Sequence, residues 1–256
     1  MFNLFREGRS LVEMGLTGLM MPTLLQAPKG DGHPVMVLPG FLASDVSTRP
    51  LRSFLRVKGY QSEGWGLGRN LGTHIVGGEH IVSDELIDQV IRLSVKSNQK
   101  VSLVGWSLGG ILAREVSRVA PDCVRQVITL GSPFNSSEGT TPMVAKMFEM
   151  INGDLVAKNS HLVEKTYTVP PVPSSAIYSR SDGIVSWQAC INKPDALNKQ
   201  TENIEVKGSH SGLGHNHQAI RIIANRLAQP EGEWQPYENK NKKKTSFSTS
   251  QQTEGA

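Results

Sequence analysis

One stretch of the chain, residues 100–114, constrains the fold more than any other. Its apolar opening, Val101-Ser102-Leu103-Val104, has the length and composition of a buried strand. The sequence Gly105-Trp106-Ser107-Leu108-Gly109 comes next and leads into a segment of good helix formers. A strand that turns sharply into a helix around G-x-S-x-G is the sequence form of a nucleophile elbow. The stretch therefore predicts an exposed Ser107 hydroxyl at the head of a helix, where the helix dipole favours negative charge.

The two glycines of this motif have a steric role in that interpretation. Side chains at positions 105 and 109 would collide with the neighbouring strand and helix. The alternative is an ordinary strand-to-helix turn whose serine caps the helix. Because a serine hydroxyl is a poor nucleophile without a base, residues elsewhere in the chain decide between the two interpretations.

Predicted strands and helices alternate along most of the chain. Besides the elbow strand, apolar runs predict strands at 35–38, 60–65, 127–130, 175–178 and 204–206. Helix signals begin at Pro50, at Ser83 and at Asn216. We expect the residues just before the first of these, 44–48, to form a loop. This alternation predicts an α/β fold with a mostly parallel central sheet and helices on both faces.

The domain organisation predicted from the sequence is one large domain over 30–230 between two segments of different character. Residues 1–29 form an amphipathic helical segment, and residues 231–256 form a polar, non-periodic tail that we expect to be disordered. A small helical, lid-like insertion falls at about 135–170, where apolar residues follow helical spacing. It could equally be a helix that packs on the core.

The N-terminal segment contains the apolar run 14–25, which is too short for a transmembrane helix. We expect the helix to pack on the domain through one apolar face formed by Leu11, Met14, Leu19 and Met20. Contact with a membrane surface is the alternative.

Charge and cysteine content exclude some classes of protein. A net charge of +4 in 256 residues, spread over scattered Lys and Arg residues, does not indicate a nucleic-acid partner. The two cysteines, Cys123 and Cys190, cannot form a disulfide framework. Reduced thiols are typical of a cytoplasmic protein, and a membrane-peripheral location is the alternative. The sequence predicts no cofactor and leaves the oligomeric state open.

A base and an orienting carboxylate for Ser107 should lie in loops that follow later strands, in the order Ser, Asp or Glu, His. Asp182 comes just after the strand at 175–178, in a turn with Gly183. His210 comes just after the strand at 204–206, before the final helix. We therefore predict Ser107, Asp182 and His210 as the catalytic residues.

Rival residues fit this order less well. Two other carboxylates, Asp154 and Asp195, do not follow a predicted strand. Four histidines precede Asp182 in the chain, namely His33, His74, His80 and His161. His215 and His217 follow His210 closely, but they fall at the start of the final helix, as cap or rim residues. The histidine cluster lacks a nearby cysteine or acidic ligand, which disfavours a metal site.

An oxyanion needs two backbone donors beside the nucleophile. The N–H of Leu108, the residue after Ser107, is the first. The second is expected from the loop after the first strand, Pro39-Gly40-Phe41, where proline cannot donate and glycine allows close approach. We predict the N–H of Phe41 for this role; a plain strand-ending turn is the alternative.

Four separated motifs between about residues 34 and 228 resemble the α/β-hydrolase family, on its lipase and esterase side. They occur in family order, as Pro39-Gly40-Phe41, Gly105-Trp106-Ser107-Leu108-Gly109, Ser181-Asp182-Gly183-Ile184-Val185 and Gly208-Ser209-His210 with Leu213. Leu130-Gly131-Ser132-Pro133 resembles a lipase turn, but Phe134 stands where those lipases often carry histidine.

The resemblance implies a serine hydrolase that cleaves small-molecule or lipid carboxylic esters through an acyl-enzyme intermediate. An acyltransferase or thioesterase with the same catalytic residues is an alternative within the enzymes. A non-catalytic binding protein on the same fold is an alternative outside them.

Overall fold

The computed structural model describes residues 8–75, 80–135, 168–193 and 198–238. Its centre is a six-stranded sheet in the order β2-β1-β3-β4-β5-β6, in which every neighbouring pair is parallel. The strands are β1 (Pro34–Leu38), β2 (Gln61–Gly64), β3 (Val101–Trp106), β4 (Val124–Leu130), β5 (Ser174–Tyr178) and β6 (Thr201–Glu205). The predicted α/β fold with a parallel sheet is confirmed.

Helices of the described residues cover both faces of the sheet, and three of them connect its strands. They are α1 (Ser10–Leu19), α2 (Met21–Leu24), α3 (Asp45–Val57), α4 (Asp84–Ser97), α5 (Leu108–Val119) and α6 (His217–Leu227). Successive residues of a strand point to opposite faces, so Met36 and Leu38 enter one core while Val35 and Val37 enter the other. The first core contains α4 and α5, and the second contains α3 and α6.

Helix α3 begins earlier than the sequence indicated. The region 44–48 was expected to be a loop, with the helix starting at Pro50, but the helix starts at Asp45 and includes Pro50. Pro50 is the sixth residue of α3, past the first turn, and it has no N–H to donate to the carbonyl oxygen of Val46. The side chain of Arg52 donates to the carbonyl oxygen of Asp45 at 2.6 Å and so supports the first turn of the helix.

The last strand also differs from the expected 204–206. Strand β6 spans Thr201–Glu205 at the sheet edge and pairs with β5 from Ser174 to Tyr178. Only Ile204 of β6 is buried. Backbone pairing with β5, and not apolar content, therefore decides where this edge strand begins.

The N-terminal helix α1 packs on the domain, but the apolar face expected to make the contact is wrong. Met14, Leu19 and Met20 are exposed, and the buried residues of α1 include Glu13 and Thr17. Glu13 accepts hydrogen bonds from Ser209 and Thr17 donates one to the carbonyl oxygen of His215, so these two polar residues face the segment after β6. None of the helices in the described ranges has the length and apolar content needed to cross a bilayer.

The C-terminal tail is described as far as residue 238. The N–H of Tyr237 donates to Glu202 at 2.6 Å, and Arg226 donates to the carbonyl oxygen of Gln235 at 2.6 Å. Contacts with the domain therefore extend into the start of the predicted tail. Most of the predicted insertion, residues 136–167, and the remainder of the tail lie outside the described residues, so both stay predictions.

Candidate active site

The turn between β3 and α5 holds Ser107 in a rare backbone conformation, with φ 53° and ψ −121°. Positive φ is costly for a residue with a side chain, so neighbours must hold the turn. A Cβ on Gly109 would lie 2.5 Å from the carbonyl oxygen of Leu38, and one on Gly105 would overlap the backbone of Gly109. The predicted steric role of both glycines is confirmed, and the turn has the geometry of a nucleophile elbow.

The structure brings Ser107, His210 and Asp182 into one hydrogen-bonded chain. Nε2 of His210 lies 3.1 Å from Oγ of Ser107. Nδ1 of the same ring lies 2.7 Å from Oδ2 of Asp182. All three side chains are almost fully buried. The expected exposure of the Ser107 hydroxyl is therefore wrong, because the His210 ring and the Gly40 backbone lie against it. One imidazole therefore bridges the hydroxyl and the carboxylate, which is the arrangement that lets histidine act as a base.

The carboxylate of Asp182 is fixed by its own loop. Its Oδ1 accepts the backbone N–H groups of Ile184 and Val185, each at 2.8 Å. Oδ2 is thereby directed at His210, and a carboxylate there makes Nδ1 the protonated nitrogen of a neutral ring.

Gly131, directly after β4, approaches this pair closely. Its φ is +53°, and a Cβ there would lie 3.2 Å from Oδ2 of Asp182 and 3.3 Å from Nδ1 of His210. The lipase-like turn found in the sequence therefore lies beside the carboxylate–imidazole hydrogen bond. Phe134 instead packs under the buried guanidinium of Arg114, whose Cζ lies 3.6 Å from the ring centroid.

The loop that carries His210 is held by residues that the sequence did not reveal. The indole Nε1 of Trp106 donates to the carbonyl oxygen of His210 at 3.1 Å. The hydroxyl of Ser179 donates to the carbonyl oxygen of Gly208 at 2.7 Å. On the other side, the carboxylate of Glu13 accepts hydrogen bonds from Ser209. Trp106 could have been noticed because it lies within the elbow motif; Glu13 had no signal of its own.

The two expected oxyanion donors lie on the segments that flank Ser107. Leu108 is the first residue of α5, so its N–H has no acceptor within the helix. Phe41 lies two residues beyond Pro39, next to Gly40, where a Cβ would come within 3.3 Å of Cβ of Ser107. The contribution of these two N–H groups to an oxyanion hole stays a prediction.

Asn70 fixes the loop that contains Phe41, and the sequence did not point to it. Its buried side chain donates to the carbonyl oxygen of Pro39 at 2.8 Å. Its backbone N–H and carbonyl bond to Ala43 and Leu42, at 2.8 Å and 2.7 Å. Leu42 has a positive φ of 62°, which this clamp supports.

A second Ser-His-Asp array lies at the start of β3 and provides a contrast. Nε2 of His33 lies 2.8 Å from Oγ of Ser102, and Nδ1 of His33 contacts Asp31. Ser102 is fully buried within a regular strand and is not followed by a helix. It therefore lacks the strained turn and the helix-terminal donors of Ser107, and this array joins the chain before β1 to β3.

Two of the rival histidines in the described ranges, His74 and His215, have other partners. His74 bonds to Ser83 at 2.9 Å and packs edge-on against Trp65. His215 packs edge-on against Trp106, with ring centroids 5.9 Å apart, and burial lowers its pKa. His161, Asp154 and Asp195 lie outside the described residues. Within those residues, no three His, Cys, Asp or Glu side chains form a group suited to a metal ion.

Solved structures with the same fold include lipases and esterases. Lipase B of Aspergillus fumigatus matches 80% of this chain and 54% of its own, with a TM-score of 0.59 and 17% identity. An enzyme described as a putative aryl esterase of Burkholderia cenocepacia matches 78% of this chain and 91% of its own, with a TM-score of 0.53 and 16% identity. These similarities show that the fold is that of the α/β hydrolases.

Sequence comparison with curated proteins finds pimeloyl-[acyl-carrier protein] methyl ester esterases. The enzyme of Aliivibrio salmonicida is 29% identical over 161 residues, which cover 60% of this chain and 58% of that enzyme. The enzyme of Photobacterium profundum is 33% identical over 84 residues, or 30% of this chain and 33% of that enzyme. The chain therefore spans 58% or less of the length of these two relatives.

One protein family matches more than half of the chain. The match covers residues 79–229, which include β3, the elbow and the segments that carry Asp182 and His210. It leaves out β1, β2 and the N-terminal helices. The fold of the described residues agrees with this match, and the chain belongs to the family of PGAP1-like alpha/beta domains.

Proposed function

We propose that this protein is a serine hydrolase that cleaves carboxylic esters through an acyl-enzyme intermediate. The observation that supports it best is the bridge formed by His210 between Ser107, at 3.1 Å, and Asp182, at 2.7 Å, at the head of α5. The similarity to esterases supports the same chemistry. A non-catalytic binding protein would not need the costly conformation of Ser107.

In the acylation step, Oγ of Ser107 attacks the ester carbonyl carbon while Nε2 of His210 takes the hydroxyl proton. Asp182 accepts the Nδ1–H bond and stabilises the imidazolium that forms. The negative carbonyl oxygen accepts hydrogen bonds from the N–H groups of Phe41 and Leu108. The tetrahedral intermediate then collapses, and Nε2–H protonates the departing alcohol, which leaves an acyl-serine.

In the deacylation step, water gives its proton to Nε2 of His210 and attacks the acyl carbon. Collapse of the second intermediate releases the carboxylic acid and returns the proton to Oγ of Ser107. An alcohol or amine in place of water would make the protein an acyltransferase, and a thiol leaving group would make it a thioesterase. The same residues would serve all three reactions.

The experiment is active-site labelling with a fluorophosphonate probe, followed by a panel of esters. The panel contains p-nitrophenyl esters of graded acyl length, methyl esters of acyl chains and matched thioesters. We expect the wild-type protein to be labelled and to hydrolyse at least one ester class. Ser107→Ala should lose the label and lower turnover by about 10³-fold or more with the fold intact.

Ser102→Ala is the matched control, because Ser102 also contacts a histidine but lies within a strand. It should keep the label and the turnover. Wild-type protein that neither reacts with the probe nor hydrolyses any ester would contradict the proposal, as would hydrolysis retained by Ser107→Ala. Faster turnover of thioesters than of the matched esters would indicate a thioesterase. Faster acyl transfer to an added alcohol than to water would indicate an acyltransferase.

We propose further that the N-terminal segment contacts an anionic membrane surface. It exposes a set of large apolar side chains, which are Val12, Met14, Leu16, Leu19, Met20, Met21 and Leu25. The cationic side chains of Arg9 and Lys29 are exposed in the same segment, and Arg9 also lies 3.9 Å from the carboxylate of Glu13. Within residues 8–29 the one carboxylate, Glu13, is buried. The exposed side is therefore apolar and cationic, which suits anionic lipid headgroups.

Flotation with vesicles tests this contact. We expect the wild-type protein to float with phosphatidylglycerol vesicles and less with phosphatidylcholine vesicles. The variant L16E/L19E should remain unbound, whereas Val95→Glu, at an exposed apolar residue of α4, should bind like wild type. Equal binding of the two variants would contradict the proposal. A dimer in solution that L16E/L19E abolishes would assign the surface to a second copy.

A further inference from the structure

A buried carboxylate of the N-terminal helix α1 reaches the loop that carries His210. Oε1 of Glu13 accepts the backbone N–H of Ser209, and Oε2 accepts its hydroxyl, both at 2.9 Å. The Glu13 residue is only 8% exposed. Burying a carboxylate is unfavourable unless hydrogen bonds satisfy it, and here the donors come from one residue next to His210.

The loop is shaped to receive this carboxylate. A Cβ on Gly212 would overlap Oε2 of Glu13, and one on Gly208 would lie 3.7 Å from it. The hydroxyl of Ser209 also accepts the N–H of Gly212 at 3.1 Å. Ser209 therefore both closes the turn around His210 and connects it to α1.

His210 has to hold two hydrogen bonds at once, and its ring position depends on the backbone of its loop. Trp106 holds that backbone from within the elbow, through the carbonyl oxygen of His210. Glu13 holds the preceding residue, Ser209, from the other side. We propose that Glu13 is a positioning residue, which fixes the His210 loop so that the imidazole reaches Ser107 and Asp182 together. This inference rests on the proposed hydrolase function.

The expected cost of losing this support falls on the chemical step. Without Glu13 the N–H and hydroxyl of Ser209 lose their acceptors, and the loop can move to find others. A displacement of about 1 Å at a reacting group can lower a rate by about 10²-fold. Substrate contacts away from the loop would remain, so KM should change little.

The experiment compares three variants by steady-state kinetics, fluorophosphonate labelling rate and thermal unfolding. Glu13→Ala should lower kcat and the labelling rate by about 10-fold or more, with KM within about 2-fold. Glu13→Gln offers an amide oxygen to the N–H of Ser209 and an amide N–H to its hydroxyl, so it should recover most of the loss. Gly212→Ala, which takes the space of the carboxylate, should reproduce the loss.

Thr17→Val is the matched control, because Thr17 lies on the same helix and its hydroxyl bonds to the carbonyl oxygen of His215 instead. It should affect the unfolding temperature but keep kcat. If Glu13→Ala lowers the unfolding temperature and keeps kcat, Glu13 is merely structural and the inference is wrong. If Glu13→Ala fails to fold, Gly212→Ala replaces it in the test, and an unchanged kcat in that variant also makes the inference wrong. Hydrolysis retained by Ser107→Ala contradicts the proposed function instead, whatever Glu13 does.

Discussion

Gly109 of α5 lies against Leu38 of β1 so closely that a Cβ atom on the glycine would be 2.5 Å from the leucine carbonyl oxygen. The carbonyl of Pro39 lies nearly as close to that position, at 2.7 Å. The strand before the expected oxyanion loop therefore contacts the first turn of the helix that follows Ser107. No flexible side chain can yield there, because both neighbours are backbone atoms.

This contact predicts that Gly109→Ala is strongly destabilising. We expect a loss of about 2–4 kcal/mol in the free energy of unfolding, or failure to fold, because the backbones must separate. Gly15→Ala in α1 is the control, since a Cβ there meets nothing within 4 Å. It should be neutral or stabilising by up to about 1 kcal/mol. Urea unfolding measures both, and equal stability of the two variants would contradict the prediction.

The second prediction concerns which histidine is the base. His210→Ala should lower kcat/KM nearly as much as Ser107→Ala, because the residues of a triad act as a unit. His215→Ala and His217→Ala should each cost less than about 10-fold, since neither contacts Ser107. The measurement is ester turnover of the three histidine variants, with circular dichroism to check that each is folded. Activity lost in His215→Ala and kept in His210→Ala would reverse the assignment.

The third prediction is a pH dependence of stability caused by His215. Burial lowers its pKa below the ordinary 6.5, and its Nδ1 is buried without a hydrogen-bond partner among the described residues. As pH falls below 6.5, the unfolded chain binds a proton that the folded protein resists, so stability decreases.

His215→Phe should keep the edge-on contact with Trp106 and make this loss of stability between about pH 6.5 and 5 less steep. Some loss should persist, because burial also lowers the pKa of His33. Unfolding free energies of wild type and His215→Phe, measured at several pH values, test this. An identical slope in His215→Phe and wild type would disprove it.

The fourth prediction places the boundary of the C-terminal tail. Truncation after Glu238 should leave unfolding temperature and turnover nearly unchanged. Truncation after Pro230 should lower the unfolding temperature, because it removes the partners of Arg226 and Glu202 at Gln235 and Tyr237. Calorimetry of the two truncated proteins makes the comparison. A large loss from the shorter truncation would show that residues 239–256 contribute to stability.

The sequence predicted the elbow because its signals are local. A buried strand, two glycines at fixed spacing and a helix start lie within fifteen residues, and each has its own steric reason. Asp182 and His210 were predicted because each follows a strand. In a parallel sheet the carboxyl ends of the strands lie at one edge, so these residues come close to Ser107. These local and topological rules predicted the residues that the structure brings together.

Contacts between distant segments left no such signal. Glu13 is a single acidic residue in an apolar helix, and its sequence gives no sign of a partner at Ser209. Asn70 lies in a glycine-rich loop, and nothing before the structure connected it to Pro39. The start of β6 was missed for a related reason, because an edge strand with one buried residue is defined by its neighbour.

The hydrogen bonds between Glu13 and Ser209 join residues 196 positions apart, one in the N-terminal helix and the other near the last helix. Contacts of such long sequence separation carry a large loop-closure entropy and tend to form late in folding. Neighbouring strands can pair before both ends of the domain have met, but the His210 loop cannot take its final form until they do. A nascent or incompletely folded chain is thereby expected to carry an assembled elbow with an unactivated serine, and ester hydrolysis would begin only with the last folding event.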